Sequence, residues 1–121
     1  MENGSLLGLL LPKEIALHFD LIHVKEEGDK LLFFLEEKNI IPPDLNAGEY
    51  ESKGFFQEQS VQDFPIRGKE VYLKIKRRRW RNKASKEEIK REWNSVAKGA
   101  KLTVELAAFL KEYYRVTGRE P

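Results

Sequence analysis

At 121 residues the chain has material for one ordinary domain and no room for a second, and it buries enough surface, roughly two thirds, to hold a core unaided. A hydrophobic fraction of 40% beside a charged fraction of 35% argues against disorder, and no stretch reaches the ~20 apolar residues of a membrane span. The absence of cysteine excludes a disulfide framework, a thiolate zinc site and a cysteine nucleophile, and suits a reducing, cytoplasmic compartment.

The net charge of +2 conceals a division along the chain. Residues 1–60 hold 5 Lys and Arg against 12 Asp and Glu, whereas residues 61–121 hold 17 against 8. Within the second half, Arg67 to Lys83 carries nine basic residues and a single acid, Glu70. That local density attracts polyanions whatever the whole-chain balance is.

In chain order, the run Leu6 to Leu11 lacks the length and the positive flank of a signal peptide. Ile15, Ala16 and Phe19 after Pro12 predict a short helical element. Asp20 to Lys25 and Lys30 to Glu36, flanking Gly28, predict a β-hairpin that completes a unit over residues 1–38. Pro42, Pro43 and Gly48 make 39–53 read as a loop.

A second, basic hairpin is expected over 54–83, turning at Gly68. On its return strand Val71, Leu73 and Ile75 take the core side, while Tyr72, Lys74, Lys76, Arg78 and Trp80 take the open side. Arg77 and Arg79 continue on the core side, beyond its edge. Over 85–118 a helical pair is expected. Ser85 with Glu88 forms a capping-box pattern ahead of Ile89, Trp93, Val96 and Ala97, and Thr103 caps a second helix striped by Leu106, Ala107, Leu110, Tyr113 and Tyr114. The reading is therefore α+β in one domain, 1–121: two antiparallel β-hairpins forming a small sheet, followed by two C-terminal helices that resemble a helix-turn-helix.

The run from Lys74 to Arg81 carries the functional argument. Lys and Arg neutralise phosphates and release counterions, and an aromatic such as Trp80 or Tyr72 can stack on a base. The expected DNA-binding residues are Lys74, Lys76, Arg77, Arg78, Arg79, Trp80, Arg81 and Lys83, with Lys98 and Lys101 at the entrance of the second helix. His18 and His23 lack a partner at metal-ligand spacing and read as packing or surface residues. No phosphate loop, nucleophile elbow or converging carboxylate set is present in the sequence, so neither catalysis nor a cofactor or metal is expected.

The order Val61-Gln62-Asp63-Phe64-Pro65-Ile66-Arg67-Gly68-Lys69, Val71-Tyr72-Leu73, Arg77-Arg78-Arg79-Trp80, Lys98-Gly99, Thr103 and Phe109-Leu110-Lys111 is similar to the N-terminal region of certain bacterial insertion-sequence transposases. A weaker match through Leu10-Leu11-Pro12 and Glu27-Gly28-Asp29-Lys30 extends it over most of the chain. In that family the region is a zinc-ribbon-like unit with a helix-turn-helix, which binds the terminal inverted repeats of the mobile element. A separate RNase H-like domain supplies the catalytic carboxylates. Here the cysteine pairs of the ribbon are missing, so the metal is not carried over, and the aliphatic first hairpin, through Leu31, Phe33 and Leu35 or their alternates, takes its structural place.

The resemblance implies a non-catalytic component of DNA recombination whose partners are double-stranded DNA and a separately encoded catalytic subunit, with no membrane. The competing readings are a protein-interaction module that docks an acidic partner through the basic strand, and an RNA-binding module that uses its aromatic and basic face on single strands.

Overall fold

The structure, a computed structural model, describes residues 10–91, 93 and 102–117. Helix α1 (Lys13–His18) leads into strands β1 (Phe19–Glu27) and β2 (Lys30–Glu37). A short 3-10 turn (Ala47–Glu49) precedes β3 (Tyr50–Phe55), β4 (Gln59–Ile66), β5 (Lys69–Lys76), β6 (Arg78–Asn82) and β7 (Glu88–Ile89), and helix α2 (Val104–Thr117) ends the described chain.

Each half of the larger sheet begins as a local hairpin. Gly28, with a φ of 59°, opens the tight turn between β1 and β2, where Glu27 faces Lys30. Between β4 and β5 both turn residues, Arg67 and Gly68, have positive φ, 52° and 78°. This is the backbone of a type I′ turn, whose twist matches that of the flanking strands. The hairpins then join side by side through a parallel pairing of β2 with β5, giving the order β1-β2-β5-β4.

Alternation on these strands sends Phe33, Leu35, Val61, Val71, Leu73 and Ile75 to one face, where Leu11, Ile15, Ala16 and Phe19 cover them. Leu73 is completely buried. No helix among the described residues is long and apolar enough to cross a membrane.

The expected α+β architecture of two hairpins and two helices is overturned. The described chain is mostly β, with seven strands in two sheets and one long C-terminal helix. The second sheet, in the order β3-β6-β7, takes β3 from the end of the expected 39–53 loop and β6 from the basic run. Glu88 and Ile89, expected inside the first helix of the pair, form β7 instead.

The capping-box pattern is what misled. Asn82 Oδ1 accepts the backbone N–H groups of Ala84 and Ser85 at 2.9 and 3.0 Å, and Ser85 Oγ accepts from Glu87 N at 3.3 Å. With Lys86 at a φ of 66°, these side-chain bonds build a turn that folds β7 back on β6. Ser and Asn oxygens serve such turns as readily as helix starts. Trp93, expected on the same helix, is not helical and packs against His18 and Phe19, and Val96 and Ala97 lie outside the described residues.

Thr103 does cap α2. Its hydroxyl accepts from Leu106 N at 3.2 Å and donates to Asp63 Oδ1 at 2.9 Å, tying the helix start to β4.

Candidate nucleic-acid interface

The surface opposite the core is ordered by the strand register. Across β1, β2, β5 and β4 one row runs His23, Phe34, Lys74, Ser60, and its neighbour runs Lys25, Leu32, Tyr72, Gln62. A third row pairs Glu36 with Lys76. This outer face therefore carries aromatic rings and lysines together. Lys74 Nζ donates to Ser60 Oγ at 3.1 Å, and Lys30 Nζ stands over the Tyr72 ring at 5.5 Å. Among the described residues neither Lys74 nor Lys76 forms an ion pair with a carboxylate.

At Arg77 the chain leaves one sheet and enters the other, and the basic run is divided there. Up to Ile75 the odd-numbered residues are buried, whereas past the break the even-numbered Trp80 is, at 0% exposure. Its Nε1 donates to Asn39 Oδ1 at 2.9 Å. The expectation of an exposed, stacking Trp80 is thus corrected: the parity used to place it resets at the junction, and the ring is core to the second sheet.

Arg78, expected on the open face, also works internally. Its backbone N–H donates to Glu37 Oε1 at 2.9 Å, its Nε to the Glu37 carbonyl at 3.0 Å and its Nη1 to Ser52 Oγ at 2.7 Å, while the guanidinium lies 4.6 Å from the Phe55 ring centre. Arg79 is held by the Lys53 carbonyl at 2.8 Å and by Glu88, 3.3 Å from its Nε. The latter contact is an ion pair without hydrogen-bond alignment, since that Nε is buried with no bonding partner.

Of the remaining expected residues, Arg77 borders a small apolar hollow with Ile15, Val61 and Trp93 at the end of the core. Arg81 is half-buried between Glu51 and Glu88 on the neighbouring strands, and Lys83 is exposed. Neither Arg77, Arg81 nor Lys83 has a carboxylate ion pair among the described residues. Lys98 and Lys101 lie outside the described residues.

Glu37 is the polar centre of the junction between the sheets. Burial pushes its carboxyl up from the ordinary value of 4.5, opposed by the Arg78 backbone bond and the charges of Arg91 and Arg77. Nearby, His18 packs against Trp93 at 4.9 Å between ring centres, and Arg91 lies over the same indole at 4.7 Å. Burial first, and then the Arg91 charge, lower the pKa of His18 from 6.5.

The sequence does not single out Phe34 or Glu37, whereas His23, read as a packing or surface residue, is exposed and packs against Phe34. Leu31 to Leu35 are all apolar, so alternation gives no sign that Phe34 faces away from the core. Glu37 belongs to a charged doublet that reads as surface. Comparison with family models, curated proteins and solved structures finds no match for this chain.

Proposed function

We propose that this chain is a non-catalytic, cytoplasmic DNA-binding module, the end-recognition region of an insertion-sequence transposase whose strand chemistry resides in a separate catalytic subunit. The observation that carries the proposal is the outer face of the four-stranded sheet, where Lys74 and Lys76 stand on the side opposite the core without a carboxylate ion pair among the described residues. Alternate residues of one strand lie about 6.6 Å apart, so the two ammonium groups meet successive segments of a backbone laid along β5. Past the junction Lys83 is exposed and Arg81 half-buried, neither with a carboxylate ion pair among the described residues, while Arg78 and Arg79 bond into the joint between the sheets. The resemblance of the motif order to transposase N-terminal regions suggests the finer part of the reading, the recognition of element ends.

Phosphate contacts fix register, and base or shape contacts specify. Repeated selection of bound duplexes from a random pool tests both levels. The expected result is enrichment of a single sequence motif. Recovery of a pool with no enriched motif would contradict end recognition.

A further inference from the structure

We infer that a cavity on this open face seats an unpaired base of a DNA strand whose phosphates rest on Lys74 and Lys76, an inference that depends on the DNA-binding reading above. The cavity has a volume of about 220 Å³, with Phe34 and His23 contributing rings, Lys74 and Lys76 cations, and Glu36 and Glu58 carboxylates. It lies beside a bulge in β1, whose Ile22 and His23 are part of its lining. Leu21 faces Leu35, but the next paired residue is His23 opposite Phe34, so Ile22 is the extra residue. Bulges re-aim side chains in this way. The His23 and Phe34 rings meet in a T-shaped contact, with centroids 4.9 Å apart and planes at 72°, and both line the pocket.

The donor and acceptor chemistry selects the ligand. Lys74 and Lys76 balance Glu36 and Glu58 in the lining, so the cavity does not select a bare phosphate, and the carboxylates are ready acceptors for the amino and imino N–H groups of a base. In a duplex the imino N–H is consumed by pairing and each amino group keeps only one N–H for a groove, so only an unpaired base offers imino and amino N–H groups together along one edge. An aromatic ring supplies the stacking surface and the lysines the backbone contact, which together form the pattern of single-strand recognition. The volume lies below the ~300–1,000 Å³ of pockets for drug-sized ligands, and so fits one heterocycle.

Fluorescence anisotropy with a blunt duplex, and with the same duplex carrying a short single-stranded overhang, tests the inference. Wild type is expected to bind the overhang duplex roughly tenfold more tightly, the scale of one stacked base. Phe34→Leu keeps an apolar residue on the sheet but removes the ring, and it is expected to bring the ratio of the two affinities to about one. Glu36→Gln with Glu58→Gln is expected to change which overhang base is preferred. Equal wild-type affinity for the two duplexes, or a preference that survives Phe34→Leu, would overturn the base pocket. A tighter complex with the overhang in ribonucleotides would overturn its assignment to DNA. Lys74→Ala with Lys76→Ala separates the two levels. It is expected to weaken binding of both duplexes, and a double variant that binds both as wild type does would overturn the DNA-binding reading itself.

Discussion

Trp80 shows how a residue of the basic run can be indispensable without touching a ligand. With 0% exposure and its indole N–H satisfied by Asn39, it fills the second sheet where β3 and β7 meet β6. Trp80→Ala removes a large buried ring and is expected to cost about 3–5 kcal/mol, a large share of the ~5–15 kcal/mol that holds a typical domain folded. Trp80→Phe leaves Asn39 without its donor and should cost about 1–3 kcal/mol. Urea denaturation measures both. A Trp80→Phe protein of wild-type stability but reduced DNA affinity would show the indole to be a contact residue after all.

Glu37 carries a pH signature at the same scale. A carboxyl with a raised folded pKa contributes stability below its ordinary value of 4.5 and loses that contribution as the pH rises through the folded value. Glu37→Gln remains neutral and keeps an oxygen for the Arg78 N–H. Its stability relative to wild type is therefore expected to grow as the pH rises above 4.5, followed by thermal melting across a pH series. A difference independent of pH would show that burial does not perturb this group.

Among the elements, α2 depends on a short polar latch. Thr103, fully buried, bonds Asp63 and Leu106 N at once, and Thr103 N donates to the Gln62 carbonyl at 3.0 Å, so the helix start is an extension of the β4 edge. Beyond that anchor the helix is lightly held: Phe109 is 53% exposed and meets Phe64 of β4, itself 37% exposed, edge-on at 5.5 Å. Thr103→Val keeps the shape but removes the cap and the hydroxyl that donates to Asp63, with an expected loss of about 1–3 kcal/mol. Faster amide exchange in 104–117 than in β5 would locate the damage, and uniform exchange across both would place it elsewhere.

Elements with a strong local code were legible in the sequence. Gly28 and Gly68 mark their turns, alternation from Val71 to Ile75 sets the core side of β5, and Thr103 announces the α2 cap. Features written by long-range pairing were not. The parallel contact of β2 with β5 leaves no local trace, the second sheet assembles segments far apart in sequence, and the Ser85 to Glu88 pattern belongs equally to a turn held by Asn82. The site was legible in part for the same reason: Lys74 and Lys76 follow from strand alternation, whereas Trp80 and Arg78 depend on the break at Arg77.

Across the whole molecule, the unequal halves of the charge distribution meet in one sheet. The acidic first half contributes β1 and β2, the basic second half contributes β5, and local ion pairs such as Lys69 with Glu26 at 2.8 Å fasten the hairpins near their turns. The proposed DNA binding rests on the cations left without a carboxylate ion pair on the outer face among the described residues. Each phosphate neutralised lowers log K by about 0.9 per tenfold rise in salt for duplex DNA. The most direct test is the dependence of duplex binding on salt for wild type and for Lys74→Ala with Lys76→Ala. Wild-type affinity is expected to fall steeply with salt, and the double variant to lose about 2 from the magnitude of the slope. A flat wild-type line, or the same slope in both proteins, would contradict the assignment of this sheet face to DNA.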